Sequence, residues 1–142
     1  MFRYCIWYAI YDKKIVDVIN SLSIAFKTEN YQPHITFLMN LNKNEAENIL
    51  KTQNIKPKNF YINGYVYQTC LNGFYALQQD FIDENNKLYH ISLAYRNFKK
   101  FTYEELIFAQ NMVNFKKVNK KDVEILLYNC DSRYPKKWKR IK

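Results

Sequence analysis

The chain holds only two histidines, and each opens the same three-residue pattern, His34-Ile35-Thr36 and His90-Ile91-Ser92. In a β-strand, residues i and i+2 point to one face. Each motif therefore presents an imidazole and a hydroxyl on one side and an isoleucine on the other. Two such strands side by side would bring two imidazoles and two hydroxyls to one small volume. That set suits general acid–base chemistry on a phosphate ester. One imidazole takes a proton from the nucleophile, the other gives one to the leaving oxygen, and Thr36 and Ser92 donate to the non-bridging oxygens. Histidine fits both roles because its ordinary pKa lies near neutrality. The nucleophile is water for a cyclic phosphate, or a neighbouring ribose hydroxyl for a 2′-5′ link, and the motifs alone do not divide base from acid. The 142 residues include only nine Ser or Thr, so chance would rarely place one behind both histidines.

The remaining composition narrows the partner. A net charge of +9 attracts polyanions, nucleotides and nucleic acid first among them. Only Arg3, Arg96, Arg133 and Arg140 are arginines, and a lysine-rich surface favours diffuse phosphate attraction over bidentate base reading. Cys5, Cys70 and Cys130 are odd in number and lack metal-type spacing, so neither a disulfide framework nor a zinc site is expected, and no cofactor is implied. No apolar run reaches spanning length and the opening residues do not read as a signal peptide, so no membrane partner is expected. A reducing cytoplasm is the expected setting, the host's if the Lys-, Asn-, Ile- and Tyr-rich composition reflects a viral coding sequence. Oligomeric state is not legible.

With few glycines and prolines and no linker, residues 1–142 read as one domain. Arg3 to Tyr11 alternate as a strand, with Trp7 sharing a face with the small Cys5 and Ala9; this leaves room for a base to stack on Trp7. Asp12 caps a helix whose apolar stripe is Ile15, Val18, Ile19, Leu22 and Phe26. Tyr31, in the polar loop before the first motif, is placed to cover a groove. Asn42 with Glu45, and Thr102 with Glu105, read as capping boxes opening two more helices. Lys58 to Cys70 and Phe74 to Phe81 read as a hairpin turning at Leu71-Asn72-Gly73. Leu88 to Arg96 is the second motif strand. There Arg96 shares parity with His90 and Ser92 and could reach a phosphate, whereas Tyr95 shares parity with Ile91 and Leu93. Val123 to Tyr128 is a further strand, and Tyr134 to Lys142 reads as a basic tail or last hairpin arm. The order of elements is α+β.

The paired motifs make the chain resemble the two-histidine (2H) phosphoesterase superfamily. The likeness extends to Trp7-Tyr8-Ala9-Ile10 as first strand, to Pro33 before His34, and to Ile125-Leu126-Leu127-Tyr128 with Ser132 and Tyr134 near the end. It implies a bilobed fold of two antiparallel sheets with pseudo-two-fold symmetry, a central groove and helices outside. It also implies metal-independent action on 2′,3′-cyclic phosphates or on 2′-5′ and 3′-5′ phosphodiesters, with His34, Thr36, His90 and Ser92 catalytic. Where several bacterial members place an arginine after the second motif, Tyr95 stands here with Arg96 behind it. Short length and that tyrosine are similar to the phage anti-CBASS nucleases and related viral members, which destroy cyclic nucleotide messengers. On that resemblance Tyr95 joins Trp7, Arg96 and Tyr31 as substrate-binding candidates, and the substrate is a small signalling nucleotide, a cyclic dinucleotide or a 2′-5′ oligoadenylate. Two rivals stay open. One is an RNA-processing phosphodiesterase of the same fold with RNA as partner; the other is a non-catalytic basic module that stacks bases on aromatics.

Overall fold

The computed structural model describes all residues, Met1–Lys142. Eight strands form one antiparallel sheet in the order β6-β3-β4-β5-β2-β1-β7-β8. The strands are β1 (Tyr4–Ile10), β2 (His34–Leu41), β3 (Phe60–Leu71), β4 (Phe74–Ile82), β5 (Leu88–Asn97), β6 (Lys117–Val118), β7 (Val123–Asn129) and β8 (Lys139–Arg140), with helices α1 (Lys13–Phe26), α2 (Lys43–Thr52) and α3 (Tyr103–Met112). The expected pair of sheets is thus corrected to a single one. The β5–β2 pairing joins what would be two halves, although it consists of one rung, Ile35 opposite Ile91.

Local chemistry starts each helix where the sequence places it. The Asp12 carboxylate accepts the Ile15 N–H at the head of α1, and reciprocal capping boxes close Asn42 with Glu45 and Thr102 with Glu105. Asn72 and Gly73 both take positive φ, 50° and 76°, as a two-residue hairpin turn requires. The short β8 pairs with β7, so the chain's end does form a last hairpin arm.

The two faces of the sheet differ. On one, Ile15, Val18, Ile19 and Leu22 of α1 and Ala109 of α3 pack with Tyr8, Ile35, Ile91 and Leu93, while Ala46 of α2 packs with Ile6 and Leu127. The other face carries no helix. There Cys5, Trp7, Phe74, Ala76, Tyr95, Cys130 and Trp138 form a smaller cluster. Its walls come from the chain ends: Phe2 meets Phe74 and Trp138 edge-on at 5.7 and 6.2 Å. A 3₁₀ turn at Pro135–Lys137 delivers Trp138, whose indole N–H donates to the Ser132 carbonyl at 2.7 Å.

Each motif strand is interrupted by one extra residue immediately after its motif. In β2, Thr36 faces Trp7 and Leu38 faces Ile6, leaving Phe37 unmatched. In β5, Ser92 faces Gln78 and Ala94 faces Leu77, leaving Leu93 unmatched. A β-bulge of this kind reverses the side-chain parity of the residues that follow it, up to any further irregularity.

Candidate active site

Ile35 and Ile91 sit opposite each other and point into the helix-side core. In an antiparallel pair this register sets His34 across from Ser92 and Thr36 across from His90, all four on the helix-free face. The two imidazoles occupy diagonal positions, a relationship that separates residues by about 7–8 Å. All four side chains line a cavity of about 260 Å³ together with Trp7, Phe74, Gln78, Tyr95 and Trp138.

The two histidines stand in different surroundings. His34 is 5% exposed and lies flat on Trp7, with ring centroids 3.4 Å apart and planes 4° from parallel. Its Nδ1 is 2.8 Å from the Gln32 carbonyl oxygen. A carbonyl only accepts, so Nδ1 carries the proton and Nε2 keeps a free lone pair. Burial pushes the His34 pKa down to about 3, against the Gln32 bond and helped by repulsion from His90. The ring is therefore neutral over a wide pH range and equipped as a base. His90 is only partly buried. Burial lowers its pKa too, but the Asp80 carboxylate, directly across the β4–β5 ladder, pulls it back up. The Tyr67 hydroxyl donates to Asp80 and holds it in place. His90 is thus the ring better able to carry a proton.

Of the two hydroxyls, that of Ser92 is anchored. Gln78, across the ladder from Ser92, directs its Nε2 at the Ser92 Oγ at 3.4 Å. The Ser92 carbonyl accepts the Tyr31 hydroxyl at 2.6 Å.

Of the expected substrate contacts, Tyr95 reaches the site and three do not reach it as expected. The Leu93 bulge turns Tyr95 onto the cavity face, where it stacks on Phe74 at 5.0 Å and burial raises its pKa. The same bulge turns Arg96 away. It makes a two-point ion pair with Glu105 at 2.7 and 2.8 Å and lies over the Phe101 ring at 4.2 Å. Arg96 holds α3 to the sheet and does not line the cavity. Trp7 is 1% exposed, with His34 on one side and Tyr128 stacked 3.9 Å away on the other. No base can stack there, because the room above Cys5 and Ala9 is already filled by rings. Trp7 is a backing plate for His34. Tyr31 packs edge-on to Tyr95 at 4.7 Å and ties the first motif's loop to the second motif's strand, so it does not cover a groove.

Asp80, Gln78 and Trp138 were not singled out from sequence. Gln78 and Asp80 stand two apart with Ala76 on the face of a strand, a polar pair visible in the alternation. Trp138 interrupts the basic end of the chain, and a tryptophan amid lysines is the residue that such a segment would bury. Cys5 and Cys130 also border the cavity. No group of three or more His, Cys, Asp or Glu side chains converges anywhere in the chain, and no helix is long and apolar enough to cross a membrane. No protein-family model matches this chain, and no curated protein matches its sequence.

Proposed function

We propose that this chain is a metal-independent phosphodiesterase of the two-histidine type. Its substrates would be small signalling nucleotides joined by 2′-5′ or 3′-5′ bonds, cyclic dinucleotides or 2′-5′ oligoadenylates, and its role viral evasion of an immune signal. The single observation that carries the reading is the diagonal placement of His34 and His90, each with a hydroxyl partner, on one open face of adjacent strands. The matching bulges after the two motifs support treating the halves as a repeated unit around a groove, the bilobed plan of that superfamily.

In this mechanism His34 Nε2 takes the proton as water attacks phosphorus, and the Gln32 carbonyl stabilises the imidazolium that forms through Nδ1–H. His90, whose protonated form the Asp80 carboxylate favours against the effect of burial, gives its proton to the departing ribose oxygen. Thr36 and Ser92 donate to the non-bridging oxygens, where negative charge grows. Where a neighbouring ribose hydroxyl is available, it can replace water as nucleophile with the same division of labour. The aromatic walls of Phe74, Tyr95 and Trp138 suit one base beside the scissile phosphate.

A second reading, cleavage of 2′,3′-cyclic RNA ends, draws support from the net charge of +9. One assay separates them: cyclic dinucleotides, 2′-5′ oligoadenylates and 2′,3′-cyclic-ended RNA, each incubated in excess EDTA with the wild type, His34→Ala and His90→Ala. We expect messenger cleavage in EDTA, with each histidine variant down by about 10²–10⁴ and the double variant little worse than either. Cleavage confined to RNA ends moves the chain to the second reading. Full activity in a folded histidine variant overturns both, and histidine-independent binding without turnover identifies a base-stacking module.

A further inference from the structure

Phe98, the residue after β5, combines two features that a sequence ordinarily avoids. Its backbone sits in the left-handed region at φ 64°, where a bulky side chain is strained. It is also 71% exposed, so core burial does not offset the strain. Asn40, Asn72 and Asn86 share such a φ, but Phe98 is the one aromatic that does. Its N–H donates to the Gly73 carbonyl at 2.6 Å, a bond that glycine or asparagine would make with less strain. What Phe98 adds at this position is its ring.

A fixed cation lies over that ring. The Arg133 guanidinium is 4.3 Å from its centroid. Arg133 Nε donates to the Asn97 side-chain oxygen at 2.7 Å and Nη2 to the Asn72 carbonyl at 2.8 Å, while the Asn97 amide donates to the Arg133 carbonyl at 2.9 Å. These acceptors are neutral, so the guanidinium keeps its charge, and Nη1 makes no bond within the chain. Both side chains rest on the β3–β4 turn, where a Cβ on Gly73 would meet Phe98 Cδ1 at 3.3 Å and Arg133 Nη2 at 3.7 Å.

The pair stands on the histidine side of the sheet. Across the β4–β5 ladder Tyr95 faces Ala76 and Asn97 faces Phe74, and Ala76, Phe74 and Tyr95 all line the cavity. Residues two apart share a face, so Asn97, which holds Arg133, belongs to that face. Leu71 and Phe74, on either side of the turn beneath Phe98, line the cavity as well. The segment carrying Arg133 also delivers Trp138 to the cavity wall. Phe98 and Arg133 thus form part of the cavity's rim. The exposed residues beside them in sequence are basic: Lys99 and Lys100 after Phe98, Lys136 and Lys137 after Arg133. Arg96 fixes the first pair by donating to both of their carbonyls, at 3.1 and 2.7 Å.

We propose that Phe98 and Arg133 form a stacking site for one unpaired nucleotide of a single-stranded oligonucleotide, its base on Phe98 and its phosphate on Arg133. An exposed ring accepts the π-face of any base, and a guanidinium with an unused N–H suits a phosphate oxygen. A duplex keeps its bases stacked on one another, so the site separates single strands from double ones. It goes beyond the phosphodiesterase reading and needs no turnover.

Binding is read from the fluorescence anisotropy of a labelled single-stranded oligoadenylate, and of the same strand in a duplex, across a salt series. All proteins carry His90→Ala, so that cleavage does not consume the probe. Added to it are Phe98→Asn, which suits the left-handed backbone and removes the ring, Phe98→Tyr, Arg133→Gln and a control, Ile24→Ala, at a 78% exposed position of α1. Circular dichroism checks that each is folded. We expect the single strand to bind more tightly than the duplex. Phe98→Asn should raise its Kd by about five- to hundred-fold, with Phe98→Tyr and Ile24→Ala within about threefold of the parent. Arg133→Gln should lower the slope of log Kd against log salt by about 0.7, the share of one phosphate on a single strand. Parent-like affinity in folded Phe98→Asn, or a duplex bound as tightly as the single strand, overturns the stacking site and leaves the phosphodiesterase reading intact. The expected binding losses, found alongside a wild type that cleaves nothing, support the site and overturn only the phosphodiesterase reading.

Discussion

Trp7 lies between two stacked neighbours, with the His34 imidazole 3.4 Å away on one side and the Tyr128 ring 3.9 Å away on the other. The stack fixes the plane of the ring whose Nδ1 is already fixed by Gln32. Trp7→Ala is expected to destabilise the fold by about 3–5 kcal/mol, the usual cost of emptying a buried Trp site. Trp7→Phe should lose much less and keep measurable turnover. Urea denaturation of the two variants checks this; an alanine variant as stable as the wild type would mean that Trp7 is not the support described.

The separated environments of the histidines predict an acid-shifted pH profile. The proposed mechanism needs His34 neutral, a condition met above about pH 3. It also needs His90 protonated, and activity falls as pH rises through a pKa that burial places below the ordinary histidine value of about 6.5. The kcat/KM profile should therefore be a bell centred on the acidic side of neutrality, its limbs being macroscopic values of the pair. An optimum above pH 7 would contradict the assignment of base and acid.

Stability carries the same signature with its own sign. In the folded state His34 stays neutral down to about pH 3, while in the unfolded chain it protonates near 6.5. Between these values the unfolded state binds more protons, so stability is full above about pH 6.5 and falls as pH drops toward 3. The loss is on the order of 4–5 kcal/mol for this one group. A His34→Gln variant should flatten this part of the stability–pH curve measured by denaturant titration.

In the proposed mechanism Asp80 acts through His90, which it faces across the β4–β5 ladder. Replacing it with Asn keeps the shape and removes the charge, so the falling limb of kcat/KM should move to lower pH by about 0.5–1. The variant should stay folded, and its activity at low pH should approach that of the wild type. A purely structural role would lower the whole profile without moving the limb.

Arg96 separates support from chemistry. Its pairing with Glu105 holds that carboxyl down to about 2, and Arg96→Ala should cost about 1–3 kcal/mol of stability. Turnover per folded molecule should be unchanged, as thermal melting and active-fraction-corrected kinetics would show.

Much of this arrangement is legible in the sequence, and the exceptions have physical causes. Asp12, Asn42 with Glu45, and Thr102 with Glu105 announce their helices because capping is a local interaction. Asn72-Gly73 announces its hairpin for the same reason. The facing of His34, Thr36, His90 and Ser92 follows from strand parity, which holds within each motif. Parity fails one residue later. The bulge at Leu93 comes from the pairing of β5 with β4, a long-range fact, and it exchanges the faces of Tyr95 and Arg96. The covering of Trp7 depends on Tyr128 and Trp138, more than a hundred residues away, and no local pattern marks which face they close. The joining of two halves by the lone Ile35–Ile91 rung is likewise a matter of strand order, which alternation alone does not reveal.

The placement of both tryptophans has an optical consequence. The chain contains two, their rings lie 5.8 Å apart, and both border the candidate cavity. All indole emission therefore originates at the site, from Trp7 in contact with an imidazole and from Trp138 at the wall. A nucleobase entering beside Trp138 would quench it, and a proton arriving on His34 would quench Trp7 through the adjacent imidazolium. The unlabelled protein should thus report occupancy and His34 protonation in one fluorescence titration, with Trp138→Phe leaving the proton signal and removing most of the ligand signal.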